Sequence, residues 1–216
     1  MTELSLNEVE SLAAKVARGS GFSWGLAEEV GRSARQLAQG GFPWADALLA
    51  LAGKAGELRA PSPSQASRWR HRQPEMDSTA PLCPIRTAAL LIDDPAILGV
   101  GGPLHLANVG VPLWIAGMLT ASSAAGGFDV AWPAASASAS RLRVVPNAAG
   151  DAWLTPAADV RISPVAASPT APPPLRRALA DAAVLAALGS FAERVYVPAS
   201  ESSRVKGAGG GSIDEE

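Results

Sequence analysis

The chain has 216 residues, of which 48% are hydrophobic, with 18 Lys and Arg against 20 Asp and Glu and a formal net charge of −2. Alanine accounts for 44 positions, yet enough larger apolar residues remain to build a core, which excludes a wholly disordered chain. The near-balanced charge supplies no phosphate-binding face, and the apolar run Val109–Leu119 is too short to cross a bilayer, so neither nucleic acid nor membrane is expected as a partner.

Residues 1–60 read as a helical N-terminal unit of three helices. Ser5-Leu6-Asn7-Glu8 fits a capping box, in which hydroxyl and carboxylate satisfy reciprocal free amides, and Leu6, Val9, Leu12, Ala13, Val16 and Ala17 follow at helical spacing up to Gly19. A second helix starts near Ser23, buries Leu26, Val30, Ala34 and Leu37, and stops at Gly40-Gly41. A third opens at Pro43 and buries Trp44, Ala47, Leu48 and Leu51. Residues 61–84 are rich in Pro, Ser, Gln and Arg and read as a linker; within them, Arg68-Trp69-Arg70-His71-Arg72 is read as a solvated basic cluster.

Residues 85–200 read as an α+β domain, a small mixed sheet with two packed helices. Ile85–Ile92 is expected as a buried strand closed by Asp93-Asp94-Pro95, with a glycine loop at Gly99, Gly101 and Gly102. Pro112 is expected to open a helix through Trp114 and Met118. Strands are expected at Phe128–Trp132, Leu142–Val145 and Val160–Val165, with the small-residue run Ala134–Ser140 as a loop. The last helix is expected over Leu175 to Val195, packed on the sheet, followed by a flexible tail at 201–216. Five tryptophans (Trp24, Trp44, Trp114, Trp132 and Trp153) read as core plugs or as residues of a subunit contact.

The side chains best suited to bind a ligand are Arg86, Asp93, His105 and Asn108. Asp93 sits where an element ends, His105 follows the glycines, and Arg86 offers a bidentate countercharge to a carboxylate or phosphate. The same acidic pair also fits a plain turn. No metal site is expected, since two adjacent Asp and a distant His match no ligand spacing, and no cofactor is expected either. Cys83, the only cysteine, excludes an intrachain disulfide and lacks a local base. Gly207–Ser212 lacks the Lys that a phosphate loop places before its Ser or Thr. The first twenty residues carry Glu3, Glu8 and Glu10 in place of a basic start and an apolar stretch, so a cytoplasmic location is expected.

Ser5-Leu6-Asn7-Glu8-Val9-Glu10, Ala17-Arg18-Gly19 and Trp24-Gly25-Leu26-Ala27-Glu28-Glu29 together resemble the opening of an uncharacterised bacterial domain family. Val111-Pro112-Leu113-Trp114 and Tyr196-Val197-Pro198-Ala199-Ser200 extend the likeness over most of the chain apart from the linker. That family implies no reaction and no site residues. The N-terminal helices are also similar to those of the malate/L-lactate dehydrogenases without a Rossmann fold, but Gln39-Gly40-Gly41-Phe42-Pro43 stands where those enzymes carry Ser-His-Gly. The sequence therefore points to a small-molecule (anionic metabolite) binding or accessory subunit, acting with a protein partner or as a homo-oligomer. The alternative is a metabolic enzyme acting on a small carboxylate, with Asp93 or His105 as acid/base and Arg86 as anchor.

Overall fold

The computed structural model describes residues 1–62, 68–71, 80–99, 102–120, 127–133, 135–140, 143–146, 151–165 and 173–196. The proposed tail, Gly101 and the Gly207–Ser212 run lie outside these residues. The fold is α+β. A short strand β1 (Thr2–Ser5) leads into α1 (Leu6–Gly19), whose capping box forms as the sequence implies. Glu8 N–H donates to Ser5 Oγ at 3.3 Å and Ser5 N–H donates to Glu8 Oε2 at 2.7 Å. Helices α2 (Trp24–Gln39) and α3 (Trp44–Lys54) complete the N-terminal unit. Gly31 sets how closely α1 and α2 approach, because a Cβ there would lie 2.7 Å from the Glu10 carbonyl oxygen.

Ile85–Ile92, expected as a strand, lies within helix α4 (Pro84–Asp93). Pro84 occupies a first-turn position, and Ile85, Ala88 and Leu91 are buried at a three-residue spacing, a helical period that the continuous apolar run conceals. Gly99, expected in a loop, ends the one-turn helix α5 (Pro95–Gly99). Strand β2 (Leu104–Gly110) then runs to α6 (Leu113–Leu119), every residue of which is buried. At that junction Val111 holds φ +43°, in the left-handed region that a β-branched residue rarely adopts, while its N–H donates to Pro156 O at 3.1 Å.

Strands β3 (Gly127–Trp132), β4 (Ala135–Ser140), β5 (Arg143–Pro146) and β6 (Ala157–Val165) join β2 in a five-stranded sheet of order β2-β6-β3-β4-β5, antiparallel throughout. Among the described residues, parallel pairing is confined to single bridges from Leu82 to Arg59 and to Val109. Of the run Ala134–Ser140, expected as a loop, Ala135–Ser140 forms β4, where Ala135, Ala137 and Ala139 face inward and alternate with serines, while Ala134 lies outside the described residues. Helix α6 is packed between the sheet and α2 and α4. The Ser33 hydroxyl donates to Met118 Sδ at 3.1 Å, and the Trp114 indole donates to the Ala47 carbonyl at 3.0 Å.

The segment expected as one helix from Leu175 to Val195 divides in two. Arg177–Ala180 is strand β7, paired antiparallel with β1, and helix α7 begins only at Ala182 and runs to Ala192, followed by a 3-10 turn at Glu193–Val195. Asp181 makes the break, its carboxylate accepting from Ala183 N–H at 2.7 Å as an N-cap. Helix α7 packs on α1 and α3, not on the sheet. Strand β1 is thus the neighbour of β7 near the end of the described residues, and one cluster of buried apolar residues runs from Val9 of α1 to Ala192 of α7. Within the segment read as a linker, Trp69 is a core residue. Arg70, expected to be solvated, donates to the carbonyls of Gly102, Ala96 and Ile97.

Candidate functional site

Strand β7 alternates strictly. Ala178 and Ala180 turn into the core, while Arg177 and Leu179 face out. The β1–β7 register sets Glu3 opposite Leu179, and the Glu3 carboxylate also pairs with Arg177 Nε at 3.6 Å. Beside β7 lies the tight turn between α2 and α3, where Gly41 takes φ +76° and Phe42 N–H donates to Leu37 O at 3.0 Å. Leu175 N–H donates to Gln39 O at 2.9 Å, which ties the chain entering β7 to the end of α2. A 3-10 turn at Asp151–Leu154 closes the third side. Its Trp153 packs edge-on against Phe42 at 4.9 Å between ring centroids and against Trp132 at 5.8 Å.

These three pieces enclose an open cleft of about 850 Å³. Six large hydrophobic side chains are exposed among the described residues, and four of them (Met1, Leu154, Leu175 and Leu179) line this cleft. The other two each carry a cation. The Arg18 guanidinium lies 5.0 Å from the Trp24 ring and the Lys15 ammonium 5.9 Å from the Tyr196 ring. Exposed apolar surface without such cover is therefore concentrated at the cleft. In its wall stands Trp44, 1% exposed, whose indole N–H has no hydrogen-bond partner.

Glu3, Asp46 and Asp181 against Arg177 and the Met1 α-ammonium leave the lining with a formal excess of one negative charge. Among the described residues that form it, none is Ser, Thr, Cys, His, Lys or Tyr. Exposed apolar side chains and carboxylates thus share this surface.

The residues singled out from sequence lie elsewhere. Arg86 and Asp93 are exposed and seven positions apart on α4, about two turns. Asp93 is close enough to Glu29 of α2 for its charge to raise the Glu29 pKa, although burial of Glu29 is the larger cause and Arg32 opposes both. Asp94 Oδ1 accepts from Ala96 N–H at 3.2 Å, the turn that the acidic pair also allowed. His105, half-buried on β2, alternates with the buried Leu104 and Leu106. It stands on the sheet face turned from the core, opposite Arg161 of β6. Asn108, at φ +49° in an irregular stretch of β2, donates its N–H to Asp159 Oδ1 at 2.9 Å. The structure thus puts Arg86 with Asp93 on one element and His105 with Asn108 on another, and none of the four lines the cleft.

A second groove, about 540 Å³ between α1 and α2, is polar. There Arg35 pairs with Glu10 at 3.1 Å and donates to Asn7 at 2.8 Å, beside Arg32 and Glu28. Cys83 is 1% exposed, and burial pushes its thiol pKa up, so it is held as an inert thiol. Among the described residues no group of three or more His, Cys, Asp or Glu is placed to hold a metal ion, and no helix is long and apolar enough to cross a membrane.

The cleft residues went unnoticed in sequence because a helix was expected across Leu175 and Leu179. Asp181, a ready N-cap six residues after Leu175, was the available sign of a break. No curated protein and no solved structure matches the chain. Residues 4–62, from the end of β1 to just beyond α3, match the family model described as a protein of unknown function (DUF3726), consistent with an uncharacterised domain family; the match does not extend to the later segments in which a likeness was expected.

Proposed function

We propose that the protein is a binding or accessory protein that captures an apolar group of its partner in the cleft between β7, the α2–α3 turn and Trp153. The observation that carries this reading is the gathering of Met1, Leu154, Leu175 and Leu179 around one concavity floored by aromatic rings. Apolar patches of this kind mark interaction sites, because leaving them in water forgoes about 25 cal/mol for each Å² that a partner would cover. The acidic rim turns the expectation of an anionic metabolite toward a neutral or cationic occupant. The test is titration with Nile red, a neutral apolar dye. Saturable, blue-shifted emission is expected for the native chain, with several-fold weaker binding by the L154D/L179D double variant. Equal binding by the two proteins would remove the cleft as the site.

A further inference from the structure

Resting on that reading, we propose that the occupant is an extended segment of a partner protein, alternating apolar and basic side chains, which adds as a third strand to the free edge of β7. The sheet formed by β1 and β7 has only two strands. β1 covers one edge of β7, and among the described residues no backbone hydrogen bond from Arg177–Ala180 reaches any other strand. An unpaired edge is a template for another chain. The cleft runs along this strand, since five consecutive residues, Arg177 to Asp181, line it.

Its side-chain chemistry matches such a guest. Main-chain pairing supplies affinity in strand addition, and alternate side chains supply specificity. Apolar side chains of the incoming strand would cover Leu179, Leu175 and Leu154, and basic ones between them would face Glu3, Asp46 and Asp181. Four residues of β7 set the length of the core contact, about 13 Å of strand. A second copy of this chain fits poorly, because pairing β7 with itself would bring one acidic rim against another.

The test is selection of a random twelve-residue peptide library, displayed on phage, against the full chain. Sequences alternating apolar residues with Lys or Arg are expected to enrich. One selected peptide, synthesised, is expected to weaken about tenfold against L179D, a variant of an exposed position, and to weaken further as salt rises. N-methylation of its odd or its even backbone nitrogens is expected to abolish binding in one set and spare it in the other, because only one edge of the guest meets β7.

Failure to enrich peptides, or enrichment of acidic ones, overturns the proposal. If both methylated sets bind equally, strand addition is overturned, and the cleft reading survives only if L179D and L154D still lose the peptide. Self-association that L179D abolishes, with no peptide enriched by the selection, would make a second copy the occupant and overturn the proposal. A chain that binds Nile red in the cleft but selects no peptide overturns the strand guest while leaving the apolar site in place.

Discussion

Gly31 and Gly25 lie on the same helix, and an added methyl group has opposite consequences at the two positions. At Gly31 the new Cβ would meet the Glu10 carbonyl at 2.7 Å and the Ala14 Cβ at 3.2 Å, so α1 and α2 must separate. Overpacking of this kind costs about 1–3 kcal/mol, more than the helix propensity gained. At Gly25 nothing lies within 4 Å. Urea denaturation is therefore expected to show Gly31→Ala destabilised and Gly25→Ala stabilised by about 0.5 kcal/mol. Glu29 gives a test of the same helix by pH. Burial raises its pKa above the usual 4.5, with Asp93 adding to the rise and Arg32 opposing it, and its Oε2 has no partner. The folded chain holds this proton more tightly than the unfolded chain, so stability falls as pH climbs from the ordinary carboxylate value through the raised one. Glu29→Gln is expected to raise the urea midpoint at pH 7, with the difference shrinking to nothing below the ordinary value. A variant less stable than the native chain at pH 7 would contradict this assignment.

Elements were legible wherever caps and period agreed. Helix α1 follows its capping box and Gly19, α2 its Ser23 cap and Gly40, and α3 the Pro43 before it, each with buried residues at helical spacing. Two elements were concealed by composition. α4 reads as a strand because the apolar run Ala88–Ile92 hides the helical spacing of Ile85, Ala88 and Leu91, which Pro84 at its start also signals. β4 reads as a loop because Ala and Ser have weak strand propensity, although their alternation has a period of two. The β7–α7 boundary turned on one residue. Asp181 caps α7 from outside the helix, and its removal exposes what that cap contributes. Asp181→Ala is expected to cost about 1 kcal/mol in a denaturant titration, whereas Asp181→Asn, which keeps the acceptor, is expected to lose much less. Equal losses would show that charge and not the cap stabilises the helix start.

At the scale of the whole molecule, the cleft joins residues 1–3, 38–46, 153–154 and 175–181, segments that meet only once β1 has paired with β7 and α7 has docked on α1 and α3. No local pattern records such a meeting, which is why motif reading settled on Arg86, Asp93, His105 and Asn108, each conspicuous in its own segment. The tryptophans show the same limit. Trp44 and Trp114 are core plugs, as their spacing on helices implies, while Trp24 is exposed beneath Arg18 and Trp153 forms part of the cleft floor. The central claim is that this cleft is the working face. Its most direct test is backbone amide chemical-shift mapping of the full chain, titrated with a peptide selected on it. Perturbations are expected to concentrate at residues 1–3, 41–46, 153–154 and 175–181. Perturbations centred instead on the outer sheet face around His105 and Arg161, or on the groove at Arg32 and Arg35, would contradict it.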